Sequence, residues 1–490
     1  MKTYIFAIGG TGARVMRSLT FLMGLNIDLK QEVIPMIIDM DIQNGDGRRT
    51  LQILESYRSI TQNAYLEPVA SGFFRNPVGI LGKIQQQGSQ PNRRSAIKDS
   101  FQLDFGDVNV SFFDFIKGSN LAKIDRDLLG SLFSDTPSDF ADAELHLKLN
   151  HGFKGNPNIG SLVFNNLVDT KEFKHFQNIF QEGDRIFIVS SIFGGTGASG
   201  FPQLVKNIRA SNNNVVRNAP VGGLVVMPYF RVTGESKSSI DSRAFNSKTK
   251  AALTYYSTEL DGQLEEVYYL ADRPGQAIEN NMGGTNQQNN AHVVELLGAK
   301  AILNFVNKID FNRSRTSYYE FGIKDFAGGQ DKMTLGFEDF HSDQVSDKFW
   351  KAFVCFSLFA KFYRTGLDER RDQPFYKALE IDQLLQSNLV FIELSKYLDH
   401  YWVWLQEMYN NDRSFRPFNL NSSFNNFLRH KALRGLDPTF LTDYFSKKLN
   451  AKFNQYNNLG KISREEKFLR MAFECMEETF DEKIKELPRR

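Results

Sequence analysis

Two glycine-rich turns offer backbone that could take hold of phosphate: Gly9-Gly10-Thr11-Gly12 and Gly194-Gly195-Thr196-Gly197. Each follows an apolar run of strand character and precedes a helix-like segment. A strand-to-helix turn aims several N–H groups and the positive end of the helix dipole at one point, and glycine lets the backbone approach closely. The first turn does not complete a dinucleotide fingerprint, because Val15 stands where the third glycine belongs. Neither turn ends in the Gly-Lys-Ser/Thr of a Walker A loop. A third segment, Gly152-Phe153-Lys154-Gly155-Asn156-Pro157, supplies further close-approach backbone upstream of the second turn. Lys154 there would offset ligand charge, or else stand solvated in its loop. Asp39 and Asp41, closing the second apolar run, are of the type that takes a hard cation through water. For Asp41, capping of the strand end is the alternative.

These turns need a scaffold, and the first half of the chain supplies one by alternating strand-like and helix-like stretches. Strands are expected near 4–8, 33–38, 185–190, 221–227 and 267–270, with a helix over 13–25. That alternation specifies an α/β fold with a mostly parallel sheet. Residues of about 50–150 fit it poorly and are read as an insertion, with an exposed loop over 85–94; a polar loop over 280–290 leads into a further helix. From residue 342 onward Phe349, Phe353, Phe356 and Ala360 recur at helical spacing, and long helices follow with a break over 412–425. Tyr397, Tyr401, Trp402 and Trp404 share one amphipathic stretch, read as core, with a partner-binding surface as the alternative.

The second turn, with its preceding strand and the following Pro202, resembles the phosphate-binding signature of the tubulin/FtsZ superfamily. The Gly152–Gly160 stretch is similar to that family's loop facing the γ-phosphate, and Asp39-Met40-Asp41-Ile42-Gln43 resembles the segment after its second strand. Phe193 and Ser199 depart from the signature, as in a distant relative. The resemblance covers roughly 1–50 and 150–315. It implies a nucleotide-binding domain over 1–285, a central helix and catalytic-type loop over 286–315, and a divergent, mainly helical region over 316–490. It further implies GTP or GDP with Mg2+ as ligands. Gly9, Gly10, Thr11, Gly12 and Gly194, Gly195, Thr196, Gly197 would cradle the α and β phosphates. Gly155 and Asn156 would approach the γ-phosphate, and Asp41 would hold magnesium, with Asp39 and Gln43 beside it. Pro228, Glu235 and Arg243 fall near the family's ribose and phosphate contacts, although Glu235 and Arg243 are equally exposed loop charges. Asn290 is the usable base reader, and Ala271 or Asp272 takes the other base-reading position; these residues alone leave ATP open.

In polymerising members an acidic loop after the central helix enters the next subunit's nucleotide site. Here it reads Asn307-Lys308-Ile309-Asp310-Phe311-Asn312-Arg313. Asp310 is the candidate catalytic acid, while Lys308 and Arg313 replace family residues and could pair with phosphates without supporting hydrolysis. The resemblance therefore implies a self-assembling GTPase. A non-polymerising, nucleotide-bound switch or scaffold subunit of a larger complex is the alternative.

Composition narrows the remaining classes. A net charge of +2 removes the electrostatic case for a dedicated nucleic-acid binder. No apolar run reaches the length of a membrane span, and no signal peptide is visible. Cys355 and Cys475 are isolated, so neither a disulfide framework nor a zinc site is expected, and the cytoplasm is the expected compartment. The 44 phenylalanines are expected to pack the core of the long helices.

Overall fold

The computed structural model describes residues 1–41, 43–85, 97–105, 109–136, 143–153, 155–233, 245–272, 276–279, 284–285, 287–321, 333–341, 345–428, 438–456 and 462–484. Six parallel strands form the central sheet: β1 (Lys2–Ile8), β2 (Glu32–Ile38), β3 (Arg185–Ser191), β4 (Val221–Val226), β6 (Glu266–Leu270) and β8 (Ser317–Glu320). Their order is β2-β1-β3-β4-β6-β8. Strands β1, β3 and β4 are buried along almost their whole length because helices cover both faces of the sheet. Two-stranded pairs join β5 (Phe230–Thr233) to β7 (Gln276–Glu279), and β9 (Thr334–Leu335) to β10 (Ser414–Phe415).

Pro35 marks the rim. Its register partner is Ile5, and the outer side of β2 meets only single bridges, at Val33 and Ile37. N–H groups of alternate residues point the same way, so the missing donor of Pro35 falls between those bridges, where no ladder needs it.

Helix α1 (Gly9–Met23) begins on the first glycine, not near residue 13 as the sequence suggests. The glycine turn is itself the first helical turn. Helix α2 (Gly45–Asn63) packs on α1, so the departure from strand-helix alternation begins after Asn63 rather than at about residue 50. Two small helices follow, α3 (Phe112–Phe115) and α4 (Lys123–Leu132), and then α5 (Pro157–Asn165) and α6 (Lys171–Ile179). Phe173 and Phe176 of α6 meet Tyr4 and Phe6 of β1 edge-on or tilted.

Helix α7 (Gly195–Arg209) carries Pro202 in its interior. The absent N–H would have bonded the Ala198 carbonyl, which instead accepts the hydroxyl of Tyr256 at 3.3 Å. Tyr256 belongs to α9 (Phe245–Glu259), which follows the short α8 (Asn214–Arg217). A bond from Lys206 to Glu259 (2.8 Å) also holds α9 along α7. The central helix α10 (Val293–Asn307) leads directly into β8 on the same sheet.

The C-terminal region is mainly helical, as the sequence indicates: α11 (Asp347–Lys361), α12 (Pro374–Ala378), α13 (Ile381–Ser387), α14 (Leu389–Asn410), α15 (Pro438–Tyr456) and α16 (Arg464–Thr479). Its aromatic stripe is core, packed against the first half of the chain. Phe21 of α1 touches Tyr397, Tyr401 and Trp404, while Trp404 donates to Ser18 (3.1 Å) and Tyr397 to the Thr20 carbonyl (2.9 Å). Among the described residues no helix is long and apolar enough to cross a membrane.

Candidate functional site

The chain passes from β1 to β2 on one side and later to β3 on the other, so strand order reverses between β1 and β3. An open α/β sheet forms its ligand crevice at the carboxyl ends of such strands. Both glycine turns lie there, Gly9 after β1 and Gly194 after β3. A Cβ built on Gly9 (φ +68°) would sit 3.5 Å from Thr196 Cβ and 3.8 Å from the Gly197 nitrogen. The third segment closes over the second: a Cβ on Gly195 would be 3.0 Å from the Gly155 nitrogen and 3.3 Å from that of Asn156. Residues far apart in the chain thus meet at one place.

The meeting point is the start of three helices. Ile8, Gly194 and Asn156 are the N-cap residues of α1, α7 and α5, and none makes a side-chain capping bond. The first N–H groups of a helix have no partner within it, so this corner presents donors and three helix dipoles together. Thr196 is half-buried, and its hydroxyl makes no hydrogen bond to a described residue. Pro157 at the first position of α5 is preorganised for the helix.

A shell of charge supports the first turn. Arg14, one turn into α1, donates to Glu295 (2.7 Å), Asp46 (2.8 Å), Tyr229 (2.7 Å) and Thr11 (3.3 Å). Arg17 reaches Glu295 and Glu407 at ion-pair distances, and Glu407 pairs with Arg49. Three arginines and three carboxylates therefore balance beneath the turn. Pro228 and Tyr229 reach this end of the sheet from β4, the Tyr229 hydroxyl donating to Glu295 (3.1 Å). Sequence reasoning missed the network. Its legible signal was two arginines three residues apart on a core helix, with Glu295 alone in an apolar run.

Asn44 caps α2 and donates to Asp39 (3.4 Å), while its amide nitrogen is 3.6 Å from a Cβ position on Gly10. Burial raises the Asp39 carboxyl to about 7; Asp41 and Asp46 add to the rise, and backbone N–H groups of Asp41 and Met40 oppose it. Asp41 accepts from the Gln43 nitrogen (3.1 Å) through one oxygen and from the Gly284 nitrogen (2.6 Å) through the other. Each oxygen keeps lone pairs for water. Among the described residues no three His, Cys, Asp or Glu side chains converge on a metal position. Magnesium would therefore fit here through water and phosphate oxygens, not in a protein cage. Gln43 is exposed and accepts from Arg48.

The base-reading positions are partly committed. Arg413 donates twice to Asp272 (2.7 and 3.1 Å), and His292 stands 3.7 Å from the same carboxylate. Asn289 donates to Asp46, leaving Asn290 exposed beside it. His292 caps α10 by accepting from the Val294 nitrogen at Nδ1; burial first, and then the nearby charges of Arg413 and Arg14, bring its pKa down to about 3. The imidazole is neutral, with its proton on Nε2.

Asp310 is at the other end. Lys308 pairs with Glu266, the first residue of β6, Phe311 lies under Arg185, the first of β3, and Arg313 donates to the Asn218 carbonyl ahead of β4. A seven-residue strand spans roughly 20 Å, so Asp310 cannot reach the phosphate-type loops of its own chain. Lys308 and Arg313 are tied within the chain. Glu235, Arg243 and Lys154 lie outside the described residues. Set against models of known protein families and against curated proteins, the sequence matches none.

Proposed function

We propose that this chain is a tubulin/FtsZ-like nucleotide-binding protein that holds GTP or GDP, with magnesium on the phosphates, across the three loops at the β1–β3 crevice. One observation carries this reading: three helix starts without side-chain caps converge there, with Gly9 against Thr196 and Gly197, and Gly195 against Gly155 and Asn156. Phosphate is the ligand that matches such an array of donors and dipoles. Magnesium, where bound, bridges phosphate oxygens and reduces their charge. Asp41, with lone pairs left on both oxygens, would hold its water shell, and the exposed Asn290 would read the base edge. Guanine rests on the family resemblance.

The position of Asp310 supports assembly. An acid at the amino ends of the strands, and phosphate loops at their carboxyl ends, meet only when copies stack head to tail. A heterologous contact of that kind builds filaments when it does not close. The second reading, a nucleotide-bound switch that does not polymerise, draws support from Lys308 and Arg313, both engaged in their own chain, and from the Arg413 clamp on Asp272.

The deciding experiment denatures freshly purified protein and identifies the released nucleotide, then follows light scattering as GTP is added. Guanine nucleotide near one per chain, with reversible growth, is expected. Constant small mass would leave the switch, adenine nucleotide would overturn the base, and a protein that binds neither would end the proposal. Asp310→Ala should bind nucleotide as the parent does and hydrolyse it at least about tenfold more slowly. Unchanged hydrolysis would remove Asp310 from the mechanism.

A further inference from the structure

Resting on the assembly reading above, we infer that Lys308 is a positioning residue: clamped to Glu266, it holds Asp310 outward for the phosphate loops of a second copy. Lys308 is the C-cap residue of α10, and its ammonium pairs with the carboxylate of Glu266, buried at the first position of β6. Glu266 also accepts from the hydroxyls of Tyr268 and Tyr319, and Lys308 donates to the Tyr319 oxygen at 3.1 Å. A buried carboxylate held by three donors is a firm anchor, because each bond lost leaves part of its desolvation unmet.

Phe311 is the second anchor. The Arg185 guanidinium stands over its ring at 4.8 Å and the Lys308 ammonium at 5.8 Å, while the Phe305 ring packs on it with centroids 4.9 Å apart. Arg185 in turn donates to the carbonyls of Phe305 (3.0 Å) and Val306 (3.3 Å), so the cation that holds Phe311 also satisfies the end of α10. Between the anchors lie Ile309, 73% exposed, and Asp310, also exposed. Two residues between two fixed neighbours keep little backbone freedom, so the acid is in place before a partner arrives.

The same tie keeps Lys308 away from phosphate. Its charge is committed to Glu266 at the amino end of β6, whereas the phosphate-type loops of its own chain lie at the carboxyl ends of β1 and β3. Lys308 therefore acts on hydrolysis through where it sets Asp310.

The test measures GTP affinity, the critical concentration for assembly and the hydrolysis rate per assembled copy. The variants are Lys308→Met, Lys308→Arg, Glu266→Gln/Lys308→Met, Asp310→Ala and Lys308→Met/Asp310→Ala. Lys308→Met should lower hydrolysis about fivefold or more, the order expected when a catalytic group is displaced by a fraction of an ångström, with GTP affinity and critical concentration within about threefold of the parent. Lys308→Arg, which still reaches Glu266, should recover most of the rate. Glu266→Gln/Lys308→Met removes both charges, so it keeps the loss measurable if Lys308→Met folds poorly, and its rate should match that variant. Lys377→Gln, which changes an exposed lysine on α12, should behave as the parent. Lys308→Met/Asp310→Ala should be no slower than Asp310→Ala, since nothing is left to position. Additive losses in that cycle, unchanged hydrolysis in Lys308→Met, or a fall in GTP affinity in place of rate would overturn the inference and leave the assembly reading standing. A parent that hydrolyses GTP without assembling, or binds it without hydrolysis, would overturn the assembly reading and the inference together.

Discussion

Gly12 and Gly197 have backbone where a methyl group would otherwise have to fit. A Cβ at Gly12 would lie 2.7 Å from the Ala7 carbonyl carbon, and one at Gly197 2.5 Å from the Ser191 oxygen. Both obstacles are main chain, which cannot swing aside. Gly12→Ala and Gly197→Ala should each lower stability in urea by about 1–3 kcal/mol. Gly130, in α4, has open space around it, and Gly130→Ala should raise stability by about 0.5–1 kcal/mol. A neutral result at Gly12 would mean that the loop can relax. His292 makes a second prediction. It is neutral when folded but takes a proton near pH 6.5 when unfolded, so its contribution falls as pH drops from 6.5 toward 3, by up to about 1.4 kcal/mol per unit. Asp39 acts oppositely: with a folded pKa of about 7 it holds its proton longer than the unfolded chain, and its contribution rises as pH falls from 7 toward 4. The difference between parent and His292→Asn isolates the histidine, since asparagine also caps helices. The parent should lose more stability than the variant between pH 7 and 5; parallel losses would refute the assignment.

At the scale of elements, the contacts that matter join helices distant in sequence. Helix α10 is tied to α1 through Glu295 and Arg14, and the segment after α14 is tied to the end of β6 through Arg413 and Asp272. The Asp272 side chain is buried, so removing Arg413 takes away the guanidinium that offsets its desolvation. Arg413→Ala should cost about 3–5 kcal/mol in urea denaturation, and Asp272→Asn/Arg413→Met should recover part of it. Additive losses in that cycle would mean the pair is not coupled. The glycine turns were legible in the sequence because a strand, a turn and a helix are neighbours in the chain, and local residue types fix each. The tie of Lys308 to Glu266 and the Arg14 network were not. Arg14 and Glu295 are 281 residues apart, and nothing local in either segment encodes the approach of the other.

For the whole molecule, the aromatic face of α14 buries against α1, so the helical region and the sheet should unfold together. All three tryptophans, Trp350, Trp402 and Trp404, lie in the C-terminal helices. Their fluorescence should follow the same denaturation curve as far-ultraviolet circular dichroism, which weighs the entire chain. Two separate midpoints would make the C-terminal region an independent unit. The shared core also brings Glu407 of α14 to Arg17 and Arg49, the charge shell below the first turn.

The α/β class, the strand-to-helix turns and the mainly helical second half are legible in local pattern, because periodicity and glycine placement act over a few residues. The tertiary structure added the particular contacts: Gly9 against Thr196, Gly195 against Gly155, and Asp272, Lys308 and Arg313 engaged within the chain. Those outcomes depend on strand order and helix docking. They are set by burial and charge balance among segments hundreds of residues apart, which no local pattern records.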